Sequence, residues 1–346
     1  MKFIKPKKLQ KGGTIGIISP SWGGPNFFPH IYDEGILVLK EMGFQIKEYP
    51  TTRADPEYLY NNPELRAKDV NEAFQDEEVS AIFASIGGDD SIRLLPFIDE
   101  EVIKSNPKIV MGYSDTAILL TFANQLGLVT FNGPSIMAGF SQMRNFPNAI
   151  KHVRDMISST FETYEYQPYN EYVDGYPDWE NKENTGKINE KQTEYLQWNW
   201  LQGTSKVVGE LFGGCIEVLE FMKGTNYWPE KEFWDGKILF FETSEEKPSP
   251  VNVKYMLRNY GIQGIFEEVK GILFGRARDY TVDEKKKLDG IILNVVKNEF
   301  GNSDIPIVTN MDFGHTDPQL IMPLGCKLEI DCERKKVALT ESPVKD

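Results

Sequence analysis

The sequence predicts an α/β fold in two parts: a mainly parallel sheet covered by helices on both faces, then an α+β unit with a β-rich end. Three observations predict it. From Gly13 to Ser159, short apolar runs alternate with stretches of helical apolar spacing, the order in which parallel strands are joined by crossover helices. At 346 residues the chain is too long for one small core and suggests about two domains. Three strand-like runs then crowd the tail, Ile321 to Leu324, Leu328 to Asp331 and Lys336 to Thr340, and read as a small antiparallel set.

Gly13 to Ser19 is a β-branched run that ends in the loop Pro20-Ser21-Trp22-Gly23-Gly24-Pro25. Neither a G-x-G-x-x-G nor a P-loop lysine follows, so dinucleotide binding has no support. Tyr32 to Met42 has helical spacing at Ile36, Leu37 and Leu39 and stops at Gly43, and Phe44 to Glu48 alternates like a strand. Pro63 to Phe74 reads as a helix. Val79 to Ala84 is a buried strand running into Ser85-Ile86-Gly87-Gly88-Asp89-Asp90. Its two glycines either let the backbone approach a ligand closely or make a tight turn before Ser91 to Phe97. Ile109 to Met111 is another buried strand and Thr116 to Gln125 a helix, so Gly112-Tyr113-Ser114-Asp115 must reverse the chain between them. Leu128 to Phe131 and a helix from Ala149 to Ser159 complete this part, residues 1–160. Ligand sites in such sheets lie at the carboxyl ends of the strands, where Gly87-Gly88 and Ser114 both fall.

Residues 161–205 change character. Tyr164, Tyr166, Tyr169, Tyr172, Tyr176, Trp179, Tyr195, Trp198 and Trp200 stand among charged residues with little periodicity. So many rings argue against disorder, and a connection this long reads as a linker that covers a site or packs a domain interface. Residues 206–346 fold again. Leu211 to Lys223 holds Gly213-Gly214 and then helical spacing, and Lys237 to Phe241 is a strand ending in Glu242. Pro250 to Tyr260 is a helix, Val269 to Phe274 a strand and Val282 to Glu299 a long helix. Ile305 to Val308 leads into Met311-Asp312-Phe313-Gly314-His315.

A net charge of −14 disfavours nucleic acid, whose binding depends on lysine and arginine displacing counterions. The stretch from Met1 to Ser19 lacks the apolar length of a signal peptide or membrane span, so a soluble cytoplasmic protein is expected. Cys215, Cys326 and Cys332 form no C-x-x-C pair, which argues against a disulfide framework or a zinc site and for buried thiols.

Ser114 sits where a strand-to-helix turn would expose its hydroxyl at the positive end of a helix. It reads either as a nucleophile or as a helix cap, which Ser and Asp commonly supply. Of three histidines, His30 lies in a Pro-flanked loop and His152 in a charged helix where exposure is expected. His315 follows a buried strand, in the kind of loop where catalytic groups concentrate. Glu242 is placed at the mouth of an apolar strand and needs a partner if ionised, whereas Glu245 and Glu246 read as surface residues. Ser114, His315, Glu242 and the amides near Gly88 and Asp115 supply nucleophile, base, orienting acid and oxyanion donors, one of each. Spacing alone leaves open whether they converge.

The segments Ser85-Ile86-Gly87-Gly88, Gly112-Tyr113-Ser114-Asp115, Gly213-Gly214, Phe241-Glu242 and Phe313-Gly314-His315 together resemble the LD-carboxypeptidase family of serine peptidases, especially its microcin C immunity branch. That resemblance implies a flavodoxin-like α/β/α N-terminal domain, a smaller β-rich swivelling C-terminal domain, and a homodimer with the site between domains. It carries the nucleophile onto Ser114, the base onto His315, the acid onto Glu242 and the oxyanion amides onto Gly88 and Asp115. It implies no metal or organic cofactor. Gly87 and Tyr113 beside these positions, and Trp179 in the aromatic segment, are the expected substrate contacts. Two substrates fit the family: a peptidyl or aminoacyl nucleotide, or a murein tetrapeptide losing D-alanine. The chain has Ile86-Gly87-Gly88 where the family pattern for the second has Arg-Gly-Gly. A non-catalytic clamp and an acyltransferase using the same serine are the readings from other classes.

Overall fold

A computed structural model describes residues 2–346. Five strands alternate with helices in the first half: β1 (Thr14–Ile18), β2 (Gln45–Glu48), β3 (Val79–Ala84), β4 (Ile109–Gly112) and β5 (Thr130–Asn132). The middle segment supplies β6 (Tyr164–Glu165), β7 (Val173–Asp174) and β8 (Asn199–Gln202). The rest contributes β9 (Lys206–Cys215), β10 (Lys237–Glu242), β11 (Gly271–Gly275), β12 (Ile307–Met311), β13 (Thr316–Asp317), β14 (Met322–Leu324), β15 (Lys327–Asp331) and β16 (Lys336–Leu339).

The first sheet runs β14-β5-β4-β3-β1-β2, with β1 to β5 mutually parallel. Its parallel part has the flavodoxin-like order, whose switch point lies between β1 and β3. β3 and β4 read as near-continuous apolar runs because both faces are covered, and nearly every residue in them is buried. Helices Pro29–Glu41, Pro63–Gln75, Pro147–Ser158 and Pro250–Ile262 each open on proline. At that position the missing N–H costs nothing and the fixed φ suits the first turn.

The second sheet runs β6-β16-β15-β9-β10-β11-β12-β8. Its centre, β9 to β12, is parallel, and antiparallel strands flank it on both sides. The α/β class is as the sequence predicts. The tail differs: β14 leaves the expected antiparallel set and pairs antiparallel with β5 in the first sheet, while β15 and β16 stay in the second. The segment 161–205 is also more than a connection, since β6 and β8 form the two edges of the second sheet and β7 pairs with β13.

The helix Ala117–Gln125 explains how the halves meet. It is buried from Ala117 to Asn124, with Gly214 of β9 against Ala117 and the Thr121 hydroxyl on the Met222 sulfur. A helix apolar all round belongs between two layers, and this one carries Ser114 just before its start.

Candidate active site

β4 delivers the chain to Tyr113, still extended, and the single turn Ser114–Thr116 then leads into the buried helix. Ser114 holds φ at +58°, a left-handed conformation that costs a non-glycine residue about 1–3 kcal/mol and persists only where packing dictates it. Gly87 supplies that packing from the β3 side: a Cβ there would lie 2.8 Å from the Ser114 Cβ and 2.9 Å from its Oγ. Only glycine lets the two loops approach so closely.

β10 is buried along its whole length, which takes the terminal Glu242 carboxylate out of water. Its partner arrives from β12 through Asp312-Phe313-Gly314-His315. Gly314 (φ +99°) passes so near that a Cβ there would stand 2.6 Å from Glu242 Oε2. His315 Nδ1 donates to Glu242 Oε2 at 2.6 Å, and His315 Nε2 lies 3.1 Å from Ser114 Oγ. The three side chains are at most 8% exposed. Serine, histidine and glutamate from three distant stretches therefore form one hydrogen-bonded row.

A fourth group joins it. Glu245 Oε2 lies 2.9 Å from the same Nε2 that faces Ser114. Burial pulls the His315 imidazolium down, but Glu242 and Glu245 outweigh it and push the group up to about 10. The His315 hydrogen bond holds the Glu245 carboxyl at about 2. Glu242 is pulled the other way, its carboxyl raised by burial. Within this pair the proton belongs on histidine, because two carboxylates face one ring.

Among the described residues, no turn or loop backbone bond occupies the N–H of Gly88 or Asp115. The Asp115 carboxylate accepts from the Ser91 N–H at 2.8 Å and the Asp115 carbonyl from the Ser91 hydroxyl at 2.7 Å, which pins the turn. Behind the Gly88 loop, Arg66 grips Asp90 through both guanidinium nitrogens at 2.8 Å and also donates to the Pro20 and Ser21 carbonyls. This buried fork fixes the loops after β1 and β3 at the sheet's switch point.

These loops open on a cavity of about 570 Å³. Ser114, His315, Gly87 and Gly88 line its reactive side, and Trp22, Phe28, Tyr113, Tyr176 and Trp179 give it an aromatic wall. Tyr113 lies edge-on to His315, and its hydroxyl is 3.0 Å from that of Tyr176. Trp179 meets Phe28 and Tyr176 at ring separations of 5.6 and 5.3 Å, and its carbonyl is 2.9 Å from His30 Nε2. Asp89, Glu245, Glu246 and Arg278 supply the charges.

Every expected site residue thus borders one cavity except Asp115 and Glu242, which stand directly behind it. Two expectations need correction. His152 is buried rather than exposed: it faces the Tyr164 hydroxyl and accepts the Ile321 N–H, and burial brings it to about 3. Glu245 is exposed, as read, but it also lines the cavity and its carboxylate reaches His315, a contact the surface reading did not anticipate. Its closeness to Glu242 in a strand-end loop was the available signal. Cys215 and Cys326 are buried and Cys332 half-buried, all as free thiols.

Two family models cover most of the chain: the LD-carboxypeptidase N-terminal domain over residues 15–133 and the C-terminal domain over residues 208–330. The chain belongs to the LD-carboxypeptidase family. Its fellow LD-carboxypeptidase family members include a carboxypeptidase-named protein of Vibrio cholerae, 30% identical over 99% of both chains. The microcin C7 self-immunity protein of Escherichia coli is 29% identical over 96% of this chain and 94% of its own. A Bacillus subtilis protein named as a murein peptide carboxypeptidase is 28% identical over 99% of this chain and 96% of its own. The structure of the microcin C7 self-immunity protein with aspartyl sulfamoyl adenosine superposes with a TM-score of 0.86 at 27% identity, covering 99% of this chain and all of that one. The protein is accordingly an LD-carboxypeptidase family enzyme of two-part architecture.

Proposed function

We propose that this enzyme hydrolyses the amide-type bond joining an aminoacyl or peptidyl group to a nucleotide-like leaving group, with Ser114 as nucleophile, His315 as base and Glu242 as orienting acid. The observation that carries the reading is the continuous contact from Ser114 Oγ through His315 to Glu242, opening on an aromatic-walled cavity. Neutral His315 accepts the Ser114 proton at Nε2 while Oγ bonds to the substrate carbonyl carbon, and the carbonyl oxygen takes negative charge between the Gly88 and Asp115 amides. The imidazolium then returns the proton to the leaving nitrogen as the C–N bond breaks. Water, deprotonated by the same ring, opens the acyl-enzyme and frees Ser114. Trp179 would stack on the base. The nucleotide-bearing ligand of the solved relative supports this choice.

Release of D-alanine from a murein tetrapeptide is the second reading, supported by the Bacillus subtilis relative. The deciding experiment is turnover of both compounds side by side, aminoacyl-sulfamoyl adenosine and tetrapeptide, with Ser114→Ala as blank. Cleavage of the nucleotide conjugate alone is expected, with the variant folded and slower by roughly a million-fold. D-alanine release alone would replace the first reading by the second, and full activity in Ser114→Ala would end both. A homodimer, implied by the family resemblance, belongs to the same proposal and is checked by light scattering of the purified protein.

A further inference from the structure

Apart from His315, which is already paired with Glu242 and Glu245, Arg278 is the one cation lining the cavity among the described residues. It follows β11 and is lodged against the aromatic segment. A Cβ at Gly175 (φ +62°), just past β7, would stand 2.8 Å from the Arg278 Cζ, so glycine there leaves the guanidinium room to lie against the backbone. The ring centre of Tyr176 is 5.8 Å from the same carbon, and the Asp279 N–H donates to Asp174 at 3.1 Å, which ties the two loops together. Held this way, the Arg278 side chain is 19% exposed.

Its own bonds leave most of its donors over. Nε donates to Asp279 at 3.1 Å, and among the described residues neither terminal nitrogen has an acceptor. A guanidinium presents those nitrogens as a planar fork that fits two oxygens of a carboxylate, phosphate or sulfonyl group. Fixed in advance, it loses little freedom on pairing. Asp89, Glu245 and Glu246 repel an anion from the remainder of the lining, which leaves it one place to settle. Tyr176 links that place to the reactive row, because its hydroxyl is 3.0 Å from that of Tyr113, the residue before Ser114.

Both substrates considered above carry such a group on the leaving side. In a nucleotide conjugate, the phosphoryl or ionised sulfamoyl group is bonded to the nitrogen that departs; in a tetrapeptide, the carboxylate of D-alanine is one carbon away from it. We propose that Arg278 binds the anionic group of the leaving half and thereby sets which bond faces Ser114. The enzyme accordingly selects substrates with an anion close to the scissile nitrogen. The inference rests on the hydrolase reading above and holds for either of its two substrates.

Calorimetry on the wild type and on Arg278→Gln, with AMP and adenosine as probes, reads this pairing without turnover. The wild type should bind AMP about tenfold or more tightly than adenosine. In Arg278→Gln the two should come within about threefold of each other, with adenosine itself changed by less than that. Equal binding in the wild type, an unchanged preference in the variant, or an equal loss of both ligands would overturn the proposal and leave the triad untouched; the last result would make Arg278 a prop for the aromatic wall. Should Arg278→Gln not fold, Arg278→Lys takes its place, keeping the charge without the fork, and should narrow the preference by about threefold or more. An unchanged preference there overturns the proposal as well. If neither nucleotide binds, the nucleotide reading fails, and kcat/KM for a murein tetrapeptide and its C-terminal amide decides the inference separately. A preference for the acid of about tenfold that Arg278→Gln removes keeps it; no preference, or no turnover, ends it.

Discussion

At the scale of single residues, the site is governed by how many carboxylates face one imidazole. His315 is pushed up to about 10 by Glu242 and Glu245, so most of the free enzyme holds a charged ring at neutral pH. A base must be neutral, so kcat/KM should climb with pH toward that value. Glu245→Gln removes one of the two charges and should move the climb to lower pH, which a pH–rate profile reads directly. The stability sign follows from the same shift. A histidine raised above its unfolded value of about 6.5 contributes fully below that pH, and the contribution fades as pH rises through about 10. Thermal melting should therefore fall across the alkaline limb. Glu242→Gln keeps the shape but lets Nδ1 face an amide that can donate, which favours the wrong tautomer. Its kcat should drop by roughly 10³- to 10⁴-fold with little change in KM.

At the scale of elements, the loop that carries His315 is held from below. Arg276, at the end of β11, pairs with Asp312 at 2.8 Å, both fully buried, and the Trp198 indole donates to the same carboxylate at 2.7 Å. Arg276 also stacks over Tyr172, 4.2 Å from the ring centre. The aromatic segment thus locks onto the β11 and β12 ends that frame His315. Asp312→Ala would strand the Arg276 charge and should cost about 3–5 kcal/mol, seen as an earlier denaturant midpoint. This anchoring was not legible in the sequence. Val79–Ala84 could be read to the residue because a strand buried on both faces is its own signal, and Pro63 and Pro250 announced the starts of their helices, whereas the helices opening on Pro29 and Pro147 were started late, at Tyr32 and Ala149. β6 and β8 could not be read, and of β14, read as a strand from Ile321 to Leu324, the sheet it joins could not. Each is two to four residues long and is placed by a distant partner, Ala338 for Glu165 and Phe131 for Pro323, which no local pattern announces. His152 was misread for the same reason: charged Lys151 and Arg154 hid the fact that its own side of the helix faces Tyr164 and Ile321.

At the scale of the molecule, Ser114, His315 and Glu242 come from two sheets, and Tyr176 and Trp179 of the aromatic wall from the chain between them. Ser114, Glu242 and His315 were legible as candidates because each follows an apolar strand, the one place where a polar side chain meets a ligand in such folds. Their convergence was not legible, since it depends on the helix Ala117–Gln125 being buried between the sheets. The wall makes a prediction of its own. A base stacked on an indole is worth about 1–3 kcal/mol, so Trp179→Ala should raise KM for a nucleotide conjugate by roughly five- to a hundredfold. Hydrolysis of a tetrapeptide without a base should be unchanged, and equal losses on both would make Trp179 a packing residue.

The placement of β14 reaches further than its three residues. The strand that completes the edge of the first sheet comes after His315, close to the end of the chain. Until Leu324 has been added, the half bearing Ser114 keeps β5 unpaired on that side. The Ser114–His315 contact and the finished sheet edge therefore arrive together, and a chain cut short before His315 would carry the Ser114 turn with neither.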